Sequence, residues 1–285
     1  MKKTIKLFSI VVLLIFSFFY TNKVADKIKS KDPIMVSVKN YKKKNDVKKV
    51  NGIINGNTLV CGSNEISVNV KKSYSNMKEN NSFDKNKIVY ETKTSSDSAI
   101  NTYDKYIIRG NYTKKDVYLI FGIKNNKNVD KLINNKNNKN VDKLINNKNN
   151  SYINYFVDGS YLNDNISVVE KLGKNVYNFG YNNKYSNKKI LLTNNIIESI
   201  TLNRSLFCLN LDKNKKYLDI CKKNNMHTIS TNMVNLSLID LKKKLKNGAI
   251  IYYDLDEFDM NNYNIIIDTI KMKGYSLKKL SNILK

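Results

Sequence analysis

The nonapeptide Ile153–Tyr161, INYFVDGSY, decides the fold. Ile153, Tyr155, Phe156 and Val157 are β-branched or aromatic, the composition of a buried strand, and the run stops at Asp158-Gly159, a turn dipeptide. Downstream lies an echo, Asn175–Tyr185, NVYNFGYNNKY, with a helix-like segment between the two. Strand, helix and strand make a βαβ unit. Sheets of this kind present their sites where polar residues and glycine follow an apolar strand. That rule makes Asp158, Asn178 and Tyr181 candidate groove residues, although an Asp before Gly is also an ordinary turn former.

From Val117 onward the same alternation continues. Strands are expected at Val117–Ile123, Ile153–Val157, Val176–Phe179, Leu206–Leu211, His227–Met233 and Ala249–Asp254. Helical spacing falls between them, as in Leu238, Leu241 and Leu245, and Lys246-Asn247-Gly248 and Lys273-Gly274 read as helix C-caps. Such alternation implies an α/β protein with a parallel sheet or barrel over residues 116–285. Within it Lys124–Asn135, KNNKNVDKLINN, recurs unchanged as Lys136–Asn147. Two copies are too few for a solenoid, so residues 124–147 read as a tandem duplication in a connection, where added length costs little.

Residues 32–115 differ. Ile34–Val38, Gly52–Val60 and Ile66–Val70 are short, alternating and bounded by turns, which predicts a small β-rich region. At the N-terminus, Lys2, Lys3 and Lys6 precede the uncharged run Leu7–Tyr20, LFSIVVLLIFSFFY. A basic start before an apolar stretch predicts a signal peptide or signal anchor over residues 1–31, and hence an extracytoplasmic body, either secreted or tied to the membrane by this segment. No small-x-small cleavage site follows, which favours an uncleaved anchor.

The 50 basic residues exceed the 24 acidic ones by 26. Lysine and asparagine abound over the whole length, so compositional bias is the first explanation and an anionic wall or membrane surface the second. Arginine is nearly absent and unclustered, so no nucleic-acid partner is expected. One histidine, His227, with no acid beside it, argues against a His-based metal site or triad. No phosphate-binding glycine motif appears, and no cofactor is expected. Among carboxylates, Asp254 and Asp256 close the last strand, and Asp254 joins the groove candidates. Of three cysteines, Cys208 and Cys221 either pair outside the cell, leaving Cys61 odd, or are plain core residues.

Over Val117–Lys285 the chain resembles the polysaccharide deacetylase (NodB-homology) family. Val117–Phe121 resembles the strand leading to the family's Asp-Asp pair, and Asn154–Gly159 its A-T-F-F-V-x-G strand. Asn178-Phe179-Gly180-Tyr181 resembles its N-H-x-x segment, and Lys216–Thr228 the helix and strand before its substrate-groove strand. Gly248–Ile251 and Gly274–Leu277 resemble its two closing motifs. The resemblance implies a distorted (β/α) barrel acting on N-acetylated glycans outside the cell. The family's catalytic positions do not carry over. Gly122 and Ile123 stand for its base and metal aspartates, Phe179 and Asn183 for its metal histidines, and Asp254 for a late histidine; its arginine-proline motif, which falls near Phe207–Leu209, is absent. The expectation is therefore a deacetylase-like envelope protein without metal chemistry, binding cell-wall glycan or peptidoglycan. The alternatives are an active carbohydrate N-deacetylase using Asp158 and Asp254, and a purely structural envelope protein.

Overall fold

The computed structural model describes residues 2–95, 97–124, 152–182 and 184–284. The duplication beyond Lys124 lies outside the described residues, as does Asn183. Strands are numbered along the chain: β1 Ile53–Asn55, β2 Thr58–Val60, β3 Glu65–Val68, β4 Tyr90–Lys93, β5 Tyr106–Arg109, β6 Asp116–Ile123, β7 Asn154–Val157, β8 Val176–Asn178, β9 Phe207–Leu209, β10 His227–Ile229, β11 Ala249–Asp254 and β12 Ser276–Leu277. Two compact units share the chain, Met1–Lys48 with Glu65–Lys93, and Lys49–Asn64 with Thr94–Lys285.

In the smaller unit the helix Lys2–Lys31 precedes the helix Pro33–Asn45. Ile34–Val38, expected as a strand, is instead the start of this second helix. Two start signals outweigh the short alternation. Pro33 occupies a first-turn position where its missing N–H costs nothing, and Asp32 caps the helix by accepting from Ile34 N at 2.9 Å. Ile34 and Val38, one turn apart, then pack against Tyr74 and Met77 of the helix Val70–Lys78. Asp32 also accepts from Lys78 Nζ at 2.7 Å and Tyr74 Oη at 2.9 Å, and the Lys78 ammonium is the main reason its carboxyl is lowered to about 2. The antiparallel ribbon β3–β4 belongs to this unit. Among the described residues no helix is long and apolar enough to cross a membrane.

The larger unit is built on a mostly parallel sheet in the order β1-β2-β5-β10-β9-β8-β7-β6-β11, with β12 beside β6. Residues 32–115, expected as one region, thus serve both units: β3 and β4 form the ribbon, whereas β1, β2 and β5 extend the large sheet past β10. Short alternating strands look alike in sequence whether they pair locally or join a distant edge.

The large sheet curls toward closure. Beyond β10, Thr231 Oγ1 donates to Ile250 O at 2.6 Å and Tyr252 N donates to Met233 O at 2.9 Å. Beyond β5, Gly110 N donates to Gly248 O at 2.7 Å. The result is the distorted (β/α) barrel that the sequence predicts. Both faces of its strands are apolar, as parallel strands covered on each side require. Tyr118, Ile120, Phe156, Phe207, Ile250 and Tyr252 fill one layer. Leu119, Phe121, Tyr155, Val157 and Tyr253 point the other way and meet Ile197, Ile266 and Ile270 of the covering helices.

Candidate functional site

The register of the central strands brings their C-terminal ends together. Gly122 pairs with Asp254 on one side and Phe156 on the other, and Val157 pairs with Asn178. Gly122, Tyr252 and Asp254 share a face, because residues two apart on paired strands point the same way. A Cβ built on Gly122 would lie 2.2 Å from Tyr252 Oη, so glycine is what the buried phenol permits there. Burial is the chief reason the Tyr252 phenol resists ionisation, and the Asp254 carboxylate adds to it.

Asp254 is occupied. Lys124 Nζ sits 2.9 Å from its Oδ2 and 5.3 Å from the centroid of the Phe179 ring. The ammonium thus has a carboxylate on one side and an aromatic face on another. The buried Phe179 ring in turn meets Tyr252 edge-on, with centroids 6.3 Å apart. Lys124, Tyr252 and Phe179 are the residues that define this end of the barrel. Sequence reasoning gave Phe179 only as the occupant of a lost ligand position, and it missed Lys124 and Tyr252. Lys124 had a signal, since it follows β6 in the alternation Ile120, Gly122, Lys124, but it was hidden as the first residue of the duplicated segment.

Asp158 and Asn178 sit nearby with other roles. The Asp158-Gly159 turn is the start of the helix Gly159–Asp164. Asp158 Oδ1 accepts from Ser160 N at 2.9 Å, Ser160 Oγ at 2.6 Å and Asn182 N at 2.9 Å. The same carboxylate therefore caps a helix and ties down the segment after β8. Asn178 is fully buried and faces the helix Asn187–Thr201, donating to Ile190 O at 2.9 Å and Asn194 Oδ1 at 2.8 Å while accepting from Gly180 N. Tyr181 is half-buried and carries the Lys189 ammonium 4.1 Å above its ring. Of the four groove candidates, Tyr181 and Asp254 keep partial exposure, whereas Asp158 and Asn178 are buried.

His227 is a core residue. It stacks on Tyr103 at 4.2 Å, and burial lowers its pKa to about 4. Cys208 on β9 and Cys221 on the helix Lys215–Lys223 form a disulfide, and Cys61 is a buried thiol whose ionisation burial disfavours.

A divalent metal needs several carboxylate, imidazole or thiolate ligands converging on one point. Among the described residues no group of three or more such side chains could hold one. The filled positions speak more directly. Gly122 has no room for a side chain, Phe179 offers carbon, and Asp254 already neutralises an ammonium. These residues do not fit a metal ion.

The sequence matches no protein-family model and no curated protein. Its fold does match solved structures. Wild-type BA3943, a CE4 family pseudoenzyme from Bacillus anthracis, superposes with a TM-score of 0.61 at 18% identity, covering 90% of this chain and 96% of that one. A BA3943 mutant described as having restored enzymatic activity gives a TM-score of 0.62 at 18% identity, covering 88% of this chain and 98% of that one. At such identities the likeness is one of architecture, and it agrees with the order of the strands: this chain has the fold of the polysaccharide-deacetylase (NodB-homology, CE4) family.

Proposed function

We propose that this protein is an extracytoplasmic, deacetylase-like glycan-binding protein that does not catalyse metal-dependent deacetylation. The observation that carries this reading is the Lys124–Asp254 ion pair, 2.9 Å long and set against Phe179 and Tyr252 at the strand ends. An ammonium already paired with a carboxylate offers polar contacts but has no coordination position to offer a water or an acetyl oxygen. The site is thus suited to holding a polar ligand and not to activating water. The fold supports a glycan as that ligand, through its resemblance to proteins acting on N-acetylated sugars. The Cys208–Cys221 disulfide supports a location outside the cytoplasm, where such bonds persist, and so does the basic-then-apolar N-terminus.

The test is acetate release by the full chain from acetylated chitooligosaccharide and from peptidoglycan, with added divalent metal or chelator, beside a sedimentation assay on the same glycans. We expect co-sedimentation with peptidoglycan and no acetate. Chelator-sensitive release would overturn the inactive reading and restore the atypical enzyme using Asp158 and Asp254. Folded protein that neither sediments nor releases acetate would leave a structural envelope role in its place.

A further inference from the structure

At the opposite pole of the barrel, where β8 and β9 begin, lies a cavity of about 460 Å³. Val176, Tyr177, Leu206 and Phe207 line one part of it, with Leu206 the exposed apolar side chain among them, and Lys174, Arg204 and Lys279 make its cationic part. Among the described residues no acidic side chain lines it. Among the described residues none of these three cations has an ion-pair partner, although like charges gathered at one opening repel.

Two hydrogen-bonded segments hold this arrangement in place. Arg204 follows a turn in which Asn203 N donates to Thr201 Oγ1 at 3.2 Å and Asn203 Nδ2 donates to Thr201 O at 2.9 Å. Lys279 lies between two anchors supplied by the buried Asn154, which donates to Lys278 O at 3.1 Å and accepts from Leu280 N at 2.6 Å. The choice of cation is also informative. The chain has only two arginines, Arg109 and Arg204, against 48 lysines. Arg109 is engaged in the fold through Nε, which donates to Asn247 O at 2.6 Å. The other stands at this cavity, where a planar fork can grip two oxygens of one anion in a way that lysine cannot.

We propose that this cavity is a binding site for an anionic sugar, with a phosphate or carboxylate held by Arg204, Lys174 and Lys279 and the sugar ring set over the apolar part. The volume suits one sugar-sized unit, since ligand sites run from about 300 to 1,000 Å³. The site is separate from the strand-end groove and does not depend on what that groove binds.

Calorimetric titration of the full chain with glucose 6-phosphate, glucuronate, inorganic phosphate and neutral glucose tests this. Saturable binding of glucose 6-phosphate or glucuronate is expected, with glucose silent and phosphate alone weaker; which of the two sugars binds more tightly identifies the anion. Arg204→Gln should weaken binding roughly tenfold or more, because a charge-assisted fork is lost. Lys174→Gln should weaken it less. The control Lys243→Gln, exposed on the helix Leu238–Lys244, should leave binding within about twofold, since distant exposed charges are screened. Arg204 is exposed, so its replacement is expected to leave the fold intact. Absence of saturable binding by either anionic sugar would overturn the proposal. So would equal losses in R204Q and K243Q, which would indicate net charge and no site, and so would an unchanged affinity in R204Q.

Discussion

At Gly122 a single missing Cβ decides what the strand end can hold. Tyr252 is buried and its ring lies where any side chain on Gly122 would go. Gly122→Ala should therefore cost about 1–3 kcal/mol, the range for overpacking a filled core. In a Tyr252→Leu background the same change should cost less, with a coupling of at least about 1 kcal/mol, because the atoms that clash are gone. Urea unfolding of the four proteins of this cycle measures it, and simple additivity would mean that the two residues do not compete for space. His227 makes the second residue-scale prediction. Its folded pKa of about 4 lies below the ordinary value of 6.5. The unfolded chain then binds the extra proton across that window, so stability falls as the pH drops from about 6.5 toward 4. The loss attributable to this group is up to about 3 kcal/mol. His227→Gln, compared with the parent by urea midpoint at pH 7 and pH 4.5, should flatten the fall. Parallel curves would show that carboxylates alone cause it.

At the scale of elements, the second half of the chain was legible, and in the first half the stretches Gly52–Val60 and Ile66–Val70 were legible as strands but Ile34–Val38 was not. The alternation from Val117 onward gave strands β6 to β11 and the helices between them, because a parallel sheet under helices leaves long apolar runs with regular spacing. Ile34–Val38 was misread because five residues carry either period, and only the Asp32-Pro33 start signal distinguishes them. Asp158 was legible as a strand end but not as a cap. Its one oxygen serves both the helix it begins and Asn182, and that second contact depends on where β8 ends. Asp158→Ala should therefore cost more than the ~1 kcal/mol typical of a lost cap, about 2 kcal/mol, since part-buried donors on two segments lose one shared acceptor. Asp158→Asn keeps an oxygen and should recover about half of that loss. Chemical denaturation of both variants checks it, and equal losses would mean that the charge matters more than the bonds. Lys124 and Asp254 were not legible as a pair for the same reason that Asp158's second contact was not. Their meeting depends on the β6–β11 register, which no local pattern encodes.

For the whole molecule, the excess of 26 positive charges bears on stability as well as on partners. The cations are spread along the entire chain, so folding brings like charges closer than the unfolded chain holds them. Exposed pairs such as Lys42–Asp46 and Lys93–Glu65 return little, as surface ion pairs contribute about 0–1 kcal/mol each. Net repulsion therefore dominates the long-range electrostatics, and its range shrinks to about 10 Å at 0.1 M salt. Raising sodium chloride from about 0.02 to 0.3 M should then stabilise the fold, where a protein held by surface ion pairs would be weakened. A gain of 1 kcal/mol corresponds to a rise in Tm of roughly 2–4 °C for a chain of this size class. The same salt should weaken sedimentation with anionic peptidoglycan, since binding to an anionic polymer draws on the charge that folding resists. Opposite slopes for Tm and for binding are the expected signature. A Tm that falls with salt would show that local ion pairs outweigh the net charge.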